Sequence, residues 1–132
     1  MEPIYETEMR EVGPEVAEFL ETGYLILFQM GAPPELAEMA VLHKVVHMRP
    51  EPPEAGDVLA IGESQFRITA VGGKAWKNIE ELGHAVFLFN GAQEPEMPGQ
   101  ICLEDTGTEN LSQTLRPGTR LEIKTGVAAT IR

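Results

Sequence analysis

Thirteen glycines and ten prolines are spread through the 132 residues so evenly that no long helix fits between them, and strands and turns are favoured instead. Tyr5, Thr7 and Met9 alternate with Glu6, Glu8 and Arg10, the period of a half-buried strand. After Gly13-Pro14, Val16, Phe19 and Leu20 share a helical face for about two turns, and Gly23 ends the segment. Tyr24 to Phe28 is continuously apolar and predicts a strand buried on both faces. Gly31-Ala32-Pro33-Pro34 is a turn leading into a short helix, Glu35 to Ala40, with Leu36, Met39 and Ala40 on one face. Val41 to Met48 returns to strand character, and the proline-rich Arg49 to Gly56 cannot pair inside a sheet.

The second half is also cut into short pieces, with no internal repeat. Val58 to Ile61 and Phe66 to Val71 read as a hairpin around Gly62-Glu63. Gly72-Gly73 opens a helix over Lys74 to Leu82, with Ala75, Ile79 and Leu82 inward and Gly83 as its left-handed terminator. His84 to Phe89, Ile101 to Leu103 and Leu121 to Lys124 supply further strands, and Glu104 to Gly118 reads as a polar surface loop. About seven short strands with two or three short helices predict a mainly β, barrel-like domain over residues 1–125, followed by a C-terminal tail, 126–132.

Charge narrows the function classes. Ten Lys and Arg face twenty-one Asp and Glu, a net charge of −11, which argues against nucleic acid and anionic lipid as partners. The lone Cys102 excludes an intramolecular disulfide and a cysteine-based zinc site. MEPIYETEMR lacks a basic segment followed by an apolar run, and no stretch reaches the roughly 20 apolar residues that span a bilayer. A cytoplasmic protein is expected.

The three histidines are the main candidates for chemistry. On a regular strand His43, Val45 and His47 share one face, while Leu42, Lys44 and Val46 share the other. An imidazole on a rigid strand is a competent nucleophile near neutral pH, because much of it is uncharged. The competing reading makes His43 a satisfied, partly buried polar residue. His43 and His47 with His84 could also bind a metal, but the helical H-E-x-x-H context is missing and Lys44 would place a cation beside the ion. Neither a metal nor a cofactor is therefore expected. Gly72-Gly73-Lys74 does not complete a phosphate loop. Cys102 sits among apolar neighbours as an inert small hydrophobe, and Trp76 is expected on the helix surface or rim.

From Ile4 to Lys124 the chain resembles the glucitol/sorbitol-specific IIA components of the phosphotransferase system. The resemblance is carried by Ile4-Tyr5, Gly13, Phe28, Gly31-Ala32-Pro33 and His43, which stands ten residues beyond that proline. It continues through Thr69-Ala70-Val71-Gly72, Asn78, Glu81-Leu82-Gly83-His84, Phe89 with Gly91, Met97-Pro98-Gly99 and Pro117-Gly118. It implies a barrel-like phosphocarrier whose histidine takes a phosphoryl group from phospho-HPr. The group then passes to a cysteine of the IIB component of a IIB/IIC membrane transporter for sugar alcohols. His43 occupies the family's phosphohistidine position, and spacing from Gly31-Ala32-Pro33 favours it over His47. His84 is the candidate supporting hydrogen-bond donor. The chain departs from the family after His43, where Lys44-Val45-Val46-His47-Met48 replaces a second histidine followed by Gly and an acidic residue. A non-catalytic, partner-binding domain on the same fold is the alternative. The acidic surface would speed encounter with a basic carrier, and the face around His43 is expected to be poor in carboxylates.

Overall fold

A computed structural model describes residues 3–126. Its elements follow the chain as β1 (Pro3–Val12), α1 (Val16–Glu21), β2 (Tyr24–Gln29), α2 (Pro34–Ala37), β3 (Val41–Met48) and β4 (Val58–Ile61). They continue as β5 (Ser64–Val71), α3 (Ala75–Leu82), β6 (Ala85–Leu88), β7 (Gln100–Leu103), α4 (Leu111–Thr114) and β8 (Arg120–Lys124). The strands close into one barrel in the order β1-β3-β2-β6-β7-β5-β4-β8, with β8 returning to β1. Eight strands are described where about seven were expected, and closure leaves no strand edge unpaired. Two pairs, β2 with β3 and β6 with β7, are parallel; the other pairings are antiparallel. No helix of the described residues is long and apolar enough to cross a membrane.

Period-two patterning fills the barrel. Tyr5, Thr7 and Met9 of β1 point inward with Leu25 and Leu27 of β2, Phe66 and Ile68 of β5, and Leu121 and Ile123 of β8. β2 departs from the expected double-sided burial: Tyr24, Ile26 and Phe28 alternate with the buried leucines and are only half-buried. A barrel has one interior, so the outer residues of β2 depend on partial cover, such as the His84 ring stacked on Phe28 at 4.1 Å.

α3 packs its buried face against the barrel core. Ala75, Trp76 and Ile79 are buried as part of the same cluster. Trp76, expected at the surface, is 8% exposed because its edge meets the Tyr5 ring and its indole N–H donates to the Arg49 carbonyl at 3.0 Å. Leu82, expected inward, is instead exposed at the end of the helix, one residue before the left-handed Gly83 turns the chain. The expected loop 104–118 contains α4, held by Leu111 and Leu115 one helical turn apart and both buried. Gly126, the first residue of the expected tail, is buried and donates its N–H to Asp57 Oδ1 at 3.0 Å. The rest of that tail lies outside the described residues.

Candidate active site

His43 is the third residue of β3, opposite Met9 of β1 and Gln29 of β2. Its side chain is only 2% exposed, yet it lines a surface depression of about 480 Å³. The other walls are Gln29, Met30, Lys44, Val45, Ile79, Glu80 and Gly83. The regular alternation predicted for β3 fails: the register slips at Val46, which has no partner between the Glu6–His47 and Thr7–Val45 pairs. His47 is exposed, like Lys44, Val45 and Val46 before it, and its Nε2 donates to the Pro3 carbonyl at 3.1 Å, away from His43.

Both imidazole nitrogens of His43 are engaged. Nε2 lies 2.6 Å from the Gly83 carbonyl, and Nδ1 lies 2.6 Å from Thr7 Oγ1, with the Tyr5 hydroxyl at 3.4 Å. A carbonyl can only accept, so Nε2 carries the proton and Nδ1 accepts from the Thr7 hydroxyl. Burial pulls the imidazole pKa below its ordinary value, opposed by the Gly83 hydrogen bond, so the ring is neutral at neutral pH. Tyr5, also desolvated, is pushed well above the ordinary phenol range and stays protonated.

This depression has a pH signature. In the unfolded chain the imidazole titrates near 6.5, and in the folded chain lower. Below 6.5 the unfolded state takes up a proton that the folded state refuses. Stability from this group is therefore complete above about pH 6.5 and declines as pH falls toward the folded pKa. Urea denaturation is expected to show a steeper acid-side loss for the native chain than for His43→Gln. Parallel losses in the two chains would contradict the buried neutral imidazole.

His84 directly follows Gly83, but the fold does not pair its ring with that of His43. Its Nδ1 donates to the Leu27 carbonyl at 3.2 Å while its ring stacks on Phe28. His84, expected as a supporting donor for the phosphoryl group, is not among the residues that line the depression; the side chains within reach of the His43 ring are those of Thr7 and Tyr5. Lys44 lines the depression despite its expected orientation away from His43. Among the eight lining residues Glu80 is the one carboxylate, balanced by Lys44. Four of the large apolar side chains left exposed, Met30, Val45, Val46 and Leu82, belong to the segments that bound it.

The remaining candidates do not converge on chemistry. The three histidines spend ring nitrogens on separate partners, and no three His, Cys, Asp or Glu among the described residues group as a metal site. Cys102 is buried in β7; burial first, and the charge of Glu96 second, push its thiol pKa up and suppress the thiolate. A larger depression of about 600 Å³ beside α1 is lined by Glu21, Asp105, Thr108, Glu109 and Ser112, but contains neither an imidazole nor a thiol. Thr7 and the Gly83 carbonyl did not stand out in the sequence. A hydroxyl at an inward position between Tyr5 and Met9 was the available signal, since a buried hydroxyl requires a partner.

A family profile described as the PTS system glucitol/sorbitol-specific IIA component matches residues 4–124. Two relatives, the PTS system glucitol/sorbitol-specific EIIA components of Shigella flexneri and Escherichia coli (strain K12), are each 33% identical over 101 residues. Those alignments cover 76% of this chain and 81% of each relative. The crystal structure of a PTS system IIA component from Enterococcus faecalis V583 superposes with a TM-score of 0.68 at 22% identity. It covers 91% of this chain and 99% of that one, a likeness of fold.

Proposed function

Because the chain belongs to the glucitol/sorbitol-specific IIA component family of the phosphotransferase system, we propose that it is a cytoplasmic phosphocarrier with His43 as its transient phosphohistidine. The phosphoryl donor is phospho-HPr, and the acceptor is the cysteine of a IIB component attached to a IIC transporter for sugar alcohols. The observation that carries this reading is a neutral imidazole at the floor of a depression with an exposed apolar margin.

Each part has a task. The ring supplies a nitrogen lone pair to phosphorus while the donor's bond to phosphorus breaks and its electron pair leaves with the donor. Lys44, at the wall, supplies positive charge for the equatorial phosphoryl oxygens. Met30, Val45, Val46 and Leu82 offer apolar area for a carrier that must dock and leave. His84 holds the Gly83–Ala85 turn against β2 through Leu27 and Phe28. In the resting state the Gly83 carbonyl occupies Nε2, so docking must open that contact before the nitrogen reacts.

Incubation with phosphoenolpyruvate, enzyme I and HPr is expected to place one acid-labile, base-stable phosphate on the chain. Addition of the IIB component then removes it. Partner binding without phosphate uptake would instead identify a non-catalytic, partner-binding domain.

A further inference from the structure

Resting on the phosphocarrier reading, we infer that the Thr7 hydroxyl is the positioning group that turns His43 from its resting tautomer to the one that reacts. Three observations carry this. Thr7 is 0% exposed, and its Oγ1 lies 2.6 Å from His43 Nδ1. Nε2 is on the depression side of the ring, because its partner Gly83 lines the depression whereas Thr7 and Tyr5 do not. Nε2 also carries the resting proton, because a backbone carbonyl only accepts.

The nitrogen that can meet an incoming phosphoryl group is therefore the one without a lone pair. Transfer requires the proton on Nδ1 and the lone pair on Nε2. A hydroxyl can serve both states, since it donates to Nδ1 at rest and accepts from Nδ1–H after rotating about its C–O bond. In the second state its own proton turns toward the Tyr5 hydroxyl, which lies 3.4 Å from the same nitrogen.

The exchange is balanced: water in the depression takes the proton from Nε2 and, as docking opens the site, returns one to Nδ1, so the ring stays neutral. When Nε2 then bonds phosphorus, the donor's bond to phosphorus breaks and its electron pair leaves with the donor. The ring, now carrying substituents at both nitrogens, is held by Nδ1–H donated to Thr7. A methyl group at this position could neither donate to Nδ1 nor accept from it.

The test compares Thr7→Val, which keeps the side-chain volume, with Thr7→Ser, which keeps the hydroxyl. Phosphate uptake from phospho-HPr is expected to slow about tenfold or more in Thr7→Val and to return to within about threefold of native in Thr7→Ser. Nitrogen-15 spectra of the unphosphorylated protein provide a second readout that needs no phosphate. The native ring is expected to be protonated at Nε2 with Nδ1 hydrogen-bonded, and Thr7→Val to lose the Nδ1 hydrogen-bond shift. In the phosphorylated protein the phosphorus is expected on Nε2. Native-like uptake in Thr7→Val, a serine chain no faster than valine with its fold intact, or phosphorus on Nδ1 would overturn the inference. Failure of the native chain to accept phosphate would defeat the carrier reading itself. The Nδ1 signal would still decide whether Thr7 holds the ring.

Discussion

Replacing His43 by alanine is expected to cut phosphate incorporation by roughly three orders of magnitude or more, because the residue is the bond-forming group and no neighbour can take its part. His47 and His84 direct their hydrogen-bonding nitrogens to the Pro3 and Leu27 carbonyls, and neither lines the depression. Alanine also strands the Thr7 hydroxyl and the Gly83 carbonyl, two buried groups whose lost partner costs about 1–3 kcal/mol each. His43→Gln is the necessary companion, since its side-chain amide can still donate toward Gly83 while lacking an imidazole lone pair. Circular dichroism should find it folded, and phosphate incorporation should be as low as in the alanine chain. Substantial labelling of a folded His43→Gln chain would transfer the role to another residue.

Gly83→Ala should have the second largest effect, through structure and chemistry together. Gly83 sits at φ +63°, in the left-handed region where a side chain costs about 1–2 kcal/mol. An added Cβ would stand 2.8 Å from Gln29 Cβ and 2.9 Å from the Gln29 backbone nitrogen at the end of β2. Relief of that overlap requires backbone movement worth about 1–3 kcal/mol, so a total loss of about 3 kcal/mol is expected in urea denaturation. The same movement displaces the carbonyl that holds His43 Nε2. Gly83→Asn separates the two causes, since asparagine tolerates the left-handed region but brings the same Cβ. It should recover only the conformational part. A loss below about 1 kcal/mol in the alanine chain would show that the turn yields without strain.

Much of the barrel was legible in the sequence because its strands carry short-range signals. The Tyr5-Thr7-Met9 alternation and the turn glycines are local, and the structure places them as expected. The departures come from tertiary contacts. Trp76 is buried by Tyr5 and Arg49, both distant in sequence, and Leu82 is exposed because α3 ends one residue later. The slip at Val46 depends on how β3 registers with β1, which nothing in Val41 to Met48 announces.

The site divides in the same way. His43 was marked by its chemistry and its distance from Gly31-Ala32-Pro33. Its partners come from residues 36 positions before and 40 after it, Thr7 and Gly83. Gly83 was legible as a helix terminator but not as an acceptor, because its carbonyl is a backbone group common to every residue. The acidic composition also reads differently at the site: a net charge of −11 surrounds a depression in which Lys44 offsets its one lining carboxylate, Glu80.

The central claim is that His43 carries the phosphoryl group, and its most direct test is to locate the phosphate on the native protein. The chain is charged from phospho-HPr and fragmented under alkaline conditions that preserve phosphohistidine, and the modified residue is read by tandem mass spectrometry. The account predicts phosphate on His43 alone. Phosphate on His47, His84 or any other side chain, or none after HPr has been fully charged, would contradict it.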